Sequence, residues 1–424
     1  MKLGGDVINL IIHRGTHQIG GSCIEISTKR SRIILDVGQE LPSFDDASKK
    51  YEIKLPNIQG LYNEDDIKTD AILVTHGHGD HIGLLKHANP NIPVYIGKKS
   101  YEIFDTTAKF TGSSIIANSF NYLISGQTIQ IGDFLITPYL VDHSGFDAYA
   151  FVIQAEGKCI VYTGDFRDHG RKKKATDFFI ATIPKDVDVL LIEGTMMSRI
   201  SEDIKTEKDI ENEAYELMRA NSTPVFVMQS STNIDRIVSM YRAAMRSERL
   251  FIMDIFIAHI VSKLNNSIPK PGKCKNIRVF YPYYLTQKMF KDLEGAKLMN
   301  QFSKYKIKRE EISNLKDYCM LIRDSMISDL QHINNINHSV FIYSMWNGYK
   351  NLEKNKTLLN YAQTKKMRIV DLHTSGHADI RTLQRTIDSI QPKMVIPIHT
   401  ENPGLFTQKY RNTLVVNDGE IITV

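Results

Sequence analysis

Three histidines and one aspartate fall within six residues in the stretch Thr75-His76-Gly77-His78-Gly79-Asp80-His81. Neutral imidazole suits zinc, and a carboxylate oxygen completes a borderline-hard site, so these types together offer divalent-metal binding. The stretch follows Ala71-Ile72-Leu73-Val74, an apolar run of the length of a buried strand. The cluster therefore opens where a strand ends, the usual place for chemistry in an α/β protein. In an extended segment alternate residues share a direction. His76 and His78 can then grip one ion while Asp80 and His81 turn toward a neighbouring position.

The arrangement recurs along the chain. Residues 137–141 run into Asp142-His143-Ser144, and residues 159–162 into Thr163-Gly164-Asp165-Phe166-Arg167. Residues 189–192 run into Glu193-Gly194-Thr195, and the run 393–398 ends at His399. One histidine at a strand end carries little weight, but several acidic or imidazole strand ends form a constellation. Asp36, closing Ile33-Ile34-Leu35, reads equally as support for a metal site and as a turn aspartate. Residues 15–22 are glycine-rich, but Gly21 stands where a phosphate loop needs lysine, which excludes that nucleotide motif.

The elements that must position these groups are short. Strands are expected at 8–14, 23–28, 32–37 and 93–96, a helix from Gly83, another after Lys99, and a hairpin over 128–135. From residue 206 the pattern changes. Thr206 and Asp209 form a capping box for a helix over 206–219. Strands at 224–228, 250–253, 277–280 and 339–343 alternate with helices, including 234–246, which predicts a small parallel α/β unit. The turn Ser230-Ser231-Thr232-Asn233 opens the 234–246 helix and reads equally as an anion site and as an ordinary cap. A final strand enters His373-Thr374-Ser375-Gly376-His377-Ala378, followed by a helix over 379–390.

Composition bounds the rest. The 424 residues are enough for two or three domains, and 42% hydrophobic with 24% charged residues is ordinary for a soluble globular protein. Four cysteines without CxxC spacing argue for a reducing compartment and against a cysteine zinc ribbon. No run is long enough to span a bilayer, and the first residues lack a signal-peptide pattern, so a cytoplasmic protein with no membrane partner is expected. A net charge of +5 permits a polyanionic substrate without requiring one.

His-x-His-x-Asp-His, a strand-end histidine, a Gly-Asp and a late histidine together resemble the metallo-β-lactamase fold, an αββα sandwich. They stand here as His76, His78, Asp80, His81, His143, Asp165 and His399. The α/β unit between the two halves resembles the β-CASP insertion of the nucleic-acid-processing branch. The expected division is 1–195 for the first part of the metallo-β-lactamase domain, 196–364 for the insertion, and 365–424 for the C-terminal return. Residues 164–171, 230–233 and 373–378 resemble the bacterial ribonuclease J group within that branch. Ribonuclease J proteins usually continue into a further dimerisation domain. The stop at Val424 therefore puts the family's dimer in doubt and leaves a homo-oligomer open.

The resemblance implies that His76, His78 and His143 hold one zinc, that Asp80, His81 and His399 hold the other, and that Asp165 bridges them. Two such ions roughly 3.5–4 Å apart generate hydroxide near neutral pH and polarise a phosphoryl oxygen. Manganese is the alternative metal. Asp80 is expected to orient the hydroxide, and His377, positioned by Glu193, to protonate the leaving 3′ oxygen. Ser230, Ser231 and the turn His373, Thr374, Ser375, Gly376, His377 and Ala378 are expected to seat a phosphate of single-stranded RNA. Tyr281, Tyr283 and Tyr284 are weighed as base stackers. The expected activity is RNA phosphodiester hydrolysis, endonucleolytic, 5′-to-3′ exonucleolytic or both. The alternatives are a hydrolase of a small ester or thioester on the same fold, and a nucleic-acid-binding scaffold without catalysis.

Overall fold

The computed structural model describes residues 7–41, 53–62, 67–113, 119–199 and 204–424. Residues 200–203, within the expected start of the insertion, lie outside them.

Two sheets face each other. The first runs in the order Ile421–Thr423, Asn9–Arg14, Cys23–Ser27, Arg32–Leu35, Ala71–Leu73, Val94–Gly97, Phe120–Leu123. The second runs Met394–Ile398, Val189–Glu193, Lys158–Tyr162, Ala148–Ala155, Phe134–Val141, Ile129–Ile131. Their inner faces share one apolar layer, with Leu10, Ile33 and Leu73 against Phe151, Ile160 and Leu191. The outer faces are covered by separate clusters. Ile82, Leu84 and Leu85 lie on one side, and Phe179, Leu383 and Ile387 on the other. This is the αββα sandwich. Its second sheet is completed from both ends of the sequence, because Val189–Glu193 pairs in parallel with Met394–Ile398. That pairing brings His399 beside Glu193.

The insertion is a third, wholly parallel sheet in the order Lys306–Ile307, Ile277–Phe280, Leu250–Asp254, Tyr318–Ile322, Val225–Met228, Val340–Tyr343, Arg368–Asp371. Both of its faces are buried, as all-parallel sheets require. The inserted sheet runs past the expected boundary at 364/365. Arg368–Asp371 is the last strand of the inserted sheet, and the chain crosses back after it, through His373–His377. Tyr318–Ile322, at the sheet's centre, escaped the sequence reading. Its apolar run is short, and Asp317 and Arg323 on either side mask it.

Thr206 and Asp209 cap the Glu207–Arg219 helix with a reciprocal capping box. Near the metal motif the local structure departs from expectation. The helix starts at Gly79, with His78 as its extended N-cap, and a 3-10 turn follows at Leu85–His87. Asp80 and His81 thus sit in a first helical turn rather than on a strand, which rotates them away from His76 and His78.

Candidate metal centre

His76 follows the Ala71–Leu73 strand, His143 the Phe134–Val141 strand, Asp165 the Lys158–Tyr162 strand, and His399 the Met394–Ile398 strand. Four strand ends converge on one point. The expected ligand atoms fall into two groups, each within 4.8 Å: His76, His78 and His143, then Asp80, His81, Asp165 and His399; a third such group, Asp165, Glu193, His377 and His399, overlaps the second. Asp165 Oδ2 lies 3.1 Å from His81 Nε2 and 3.9 Å from both His76 Nε2 and His143 Nε2, so it faces both groups.

Three of the rings, those of His81, His143 and His399, are aimed by a partner on the far nitrogen. Asp36 Oδ2 takes His81 Nδ1 at 2.8 Å, and the Gly376 carbonyl takes His143 Nδ1 at 2.6 Å. Thr195 Oγ1 lies 2.9 Å from His399 Nδ1. Asp36 is itself held by the Thr75 N–H and the Tyr162 hydroxyl. Asp36 and His399 both adopt a left-handed backbone, at φ 57° and 50°. Such strain in non-glycine residues persists only where surrounding contacts over-determine it. Gly376 can approach His143 because it has no side chain; a Cβ there would run into Ser144 and the His143 ring.

These residues fit a metal. Nε2 of His76 is fully buried with no hydrogen-bond partner. An orphaned buried imidazole nitrogen is costly unless it coordinates something. His78 Nδ1 and His143 Nε2 lie 3.2 Å apart, and burial holds both rings below their usual pKa, so two neutral donors point at a shared place. Burial also holds His76 well below its usual value, helped by His81 and His78. Burial would raise Asp165, but His399 and His81 outweigh it and keep the carboxyl ionised. Neutral imidazoles beside an ionised carboxylate are the donor set that zinc takes. Asp36→Ala is expected to weaken metal affinity about 10- to 100-fold. A chelator-competition titration checks this, and unchanged affinity would reduce Asp36 to a turn residue.

Beside the ligands, His377 Nδ1 lies 3.0 Å from Glu193 Oε2 and 3.6 Å from Asp165 Oδ2. Burial lowers the imidazole, but Glu193 and Asp165 raise it to about 9. A cation on Asp165 would cancel part of that effect and draw the value back toward neutrality. Glu193 is anchored in turn by the Phe166 N–H at 3.0 Å.

The centre forms the floor of a cleft of about 1010 Å³ between the sandwich and the insertion. Ser230, His373, Thr374, Ser375, Gly376 and His377 all line it. Ser231 does not, and Ala378 is fully buried with its N–H turned to Glu193. The His377 N–H is also occupied, by Ser375 Oγ. Tyr281 packs on the insertion core, and Tyr283 and Tyr284 are exposed away from the cleft. Its aromatic lining is Trp346 and Tyr349, which the sequence reading missed. Their signal was there, because Trp346 follows the Val340–Tyr343 strand as His143 follows its own.

Residues 51–222 match a family model described as the beta-lactamase superfamily domain. Residues 364–409 match one described as the Zn-dependent metallo-hydrolase RNA specificity domain. The chain holds a metallo-β-lactamase domain. Ribonuclease J 2 of Streptococcus pyogenes is 22% identical over 93% of the chain and 70% of its own length. Ribonuclease J of Helicobacter pylori is 22% identical over 97% of the chain and 60% of its own. An RNase J-like protein of Methanocaldococcus jannaschii is 22% identical over 93% of both. The chain thus spans 60–70% of the first two relatives. The crystal structure of a protein of unknown function from Enterococcus faecalis V583 superposes with a TM-score of 0.81, at 20% identity, over 99% of this metallo-β-lactamase-fold chain and 100% of that one. Among the described residues no helix is long and apolar enough to cross a membrane.

Proposed function

We propose that this chain is a ribonuclease J-like hydrolase of RNA phosphodiesters that holds two zinc ions, with manganese as the alternative. The observation that carries the reading is the pair of ligand groups sharing Asp165 on the floor of a two-domain cleft. His76, His78 and His143 would hold one ion and Asp80, His81 and His399 the other. Bound ions supply Lewis acidity at the phosphoryl oxygen and a water activated near neutral pH.

The chain's own residues do the rest. Burial would raise Asp80, but the His399 hydrogen bond and the neighbouring His81 hold it ionised, as an acceptor for a water proton must be. His377 spends Nδ1 on Glu193, which leaves Nε2 to protonate the departing 3′ oxygen. Asp80 and His377 act on reacting atoms, and Glu193 positions the acid. Ser230, the His373 ring and the Thr374–Gly376 backbone form the phosphate seat, while Ser231 and Ala378 drop out of it. A cleft built from three neighbouring strand ends of the inserted sheet suits a single strand better than a small ester.

The test is cleavage of a 3′-labelled single-stranded RNA carrying a 5′-monophosphate or a 5′-triphosphate, with Zn²⁺ or Mn²⁺. A shortening ladder that favours the monophosphate is the expected result and supports 5′-to-3′ exonuclease action. Internal cuts indifferent to the 5′ group would make the enzyme an endonuclease. Intact RNA with both metals bound would overturn the reading.

A further inference from the structure

Trp346 is the single tryptophan of the chain, and it sits half-buried in the cleft that holds the metal centre. Its ring is fixed from several sides. A Cβ on Gly348 would overlap the indole, so the backbone packs directly on the ring. Tyr349 meets it edge-on at 5.4 Å between centroids. Burial pushes the Tyr349 phenol up, and the Asp80 charge adds to it.

Arg199 comes from the other side of the cleft, from the turn after the Val189–Glu193 strand. Its guanidinium carbon lies 4.5 Å from the Trp346 ring centroid. Among the described residues the structure records no ion pair for Arg199, although Glu401 and Glu193 both act on its charge. A flat cation therefore covers a rigid aromatic face at the edge of a site whose expected ligand is flat-faced and anionic.

We propose that Trp346, with Tyr349 at its edge, is the stacking platform for a nucleobase of the bound single strand, and that the base takes the place of Arg199, which swings to the adjoining phosphodiester. This rests on the reading of the cleft as an RNA site. The exchange is favourable on general magnitudes. Stacking on an aromatic strengthens binding roughly 5- to 150-fold per base. The half-buried cation–π contact that it replaces is worth roughly 2- to 30-fold. The displaced guanidinium then gains a charge-assisted contact with phosphate. A sequence-tolerant platform follows, because every base has a π face.

A single tryptophan makes the test direct. The metal-loaded protein is titrated with a 2′-O-methylated single-stranded oligoribonucleotide, with Trp346 emission as the readout and anisotropy of an end label reporting binding. An abasic oligomer of equal length is the control. Saturable quenching by the base-bearing strand alone is the expected result. Equal quenching by both would mean that backbone displaces Arg199 without stacking, and the platform is wrong. Binding and cleavage of RNA without quenching would also sink the platform while leaving the nuclease reading standing. No binding and no cleavage would instead remove the nuclease reading. Trp346→Ala should lower kcat/KM on RNA roughly 5- to 150-fold and erase the preference over the abasic strand. Trp346→Phe should restore part of both, which a merely structural role would not do.

Discussion

His78→Ala is expected to abolish hydrolysis and empty the site of metal, whereas His377→Ala should keep its metal and lose about two to four orders of magnitude in kcat. The contrast follows from where the two rings stand. His78 Nδ1 and His143 Nε2 converge within 3.2 Å, so removing one leaves a three-ligand group with two members. His377 is bound through Nδ1 to Glu193, a carboxylate that the Phe166 N–H already anchors. Its loss removes a proton donor and leaves the ligands in place. The contrast is also a real risk, because Asp165, Glu193, His377 and His399 form a third group of ligand atoms within 4.8 Å. Metal content and single-turnover rate on the same preparations decide the matter. Metal loss in His377→Ala would reassign His377 from acid to ligand. If both variants kept metal and rate, the chemistry would lie elsewhere.

Local patterns carried most of this site. Types and spacing in residues 76–81 announce metal binding without any tertiary knowledge, and the strand-end rule finds His143, Asp165, Glu193 and His399 one at a time. The rule reaches further than those four, however. Val225–Met228, Val340–Tyr343 and Arg368–Asp371 are neighbours in the inserted sheet, and all three lead into the cleft. Ser230 and His373 were singled out because hydroxyl-rich and histidine-rich turns look chemical. Trp346 drew no expectation from the sequence. The roles that depend on contacts between distant segments were not legible at all. Nothing in Thr195 announces that it will hold His399, and nothing in Gly376 announces a carbonyl for His143. The placement of Arg368–Asp371 has the same origin. Arg368–Asp371 can pair with either sheet as far as its own residues say, and only parallel pairing with Val340–Tyr343 assigns it.

Arg167→Met is expected to destabilise the junction between the two units by about 3–5 kcal/mol, the usual cost of stranding buried carboxylates. Arg167 belongs to the sandwich, yet it is fully buried against the insertion. It lies 2.9 Å from Asp235, 3.6 Å from Glu207 and 3.7 Å from Asp142, and it donates to the Ser375 carbonyl at 2.8 Å. One guanidinium therefore ties the inserted helices, the domain crossing and the proposed phosphate seat together. The junction should also show a pH signature. Burial raises the Glu207 carboxyl, but Arg236 and Arg167 outweigh it and hold it at about 2 instead of the usual 4.5. A lowered folded value means the stabilisation is complete above about pH 4.5 and is lost as pH falls through about 2. The shift corresponds to about 3 kcal/mol. In Arg167→Met only Arg236 and the Ser239 hydroxyl remain to hold Glu207, so the acid limb should move to higher pH. Urea midpoints between pH 7 and 2.5, in chelator so that metal release on acidification does not contribute, measure both effects. An unchanged midpoint at pH 7 would mean that the junction is held by its apolar contacts, with the buried ions serving orientation alone. A lower midpoint with an unmoved acid limb would assign the stability to the Ser375 carbonyl, which does not titrate and receives the shortest of the Arg167 contacts.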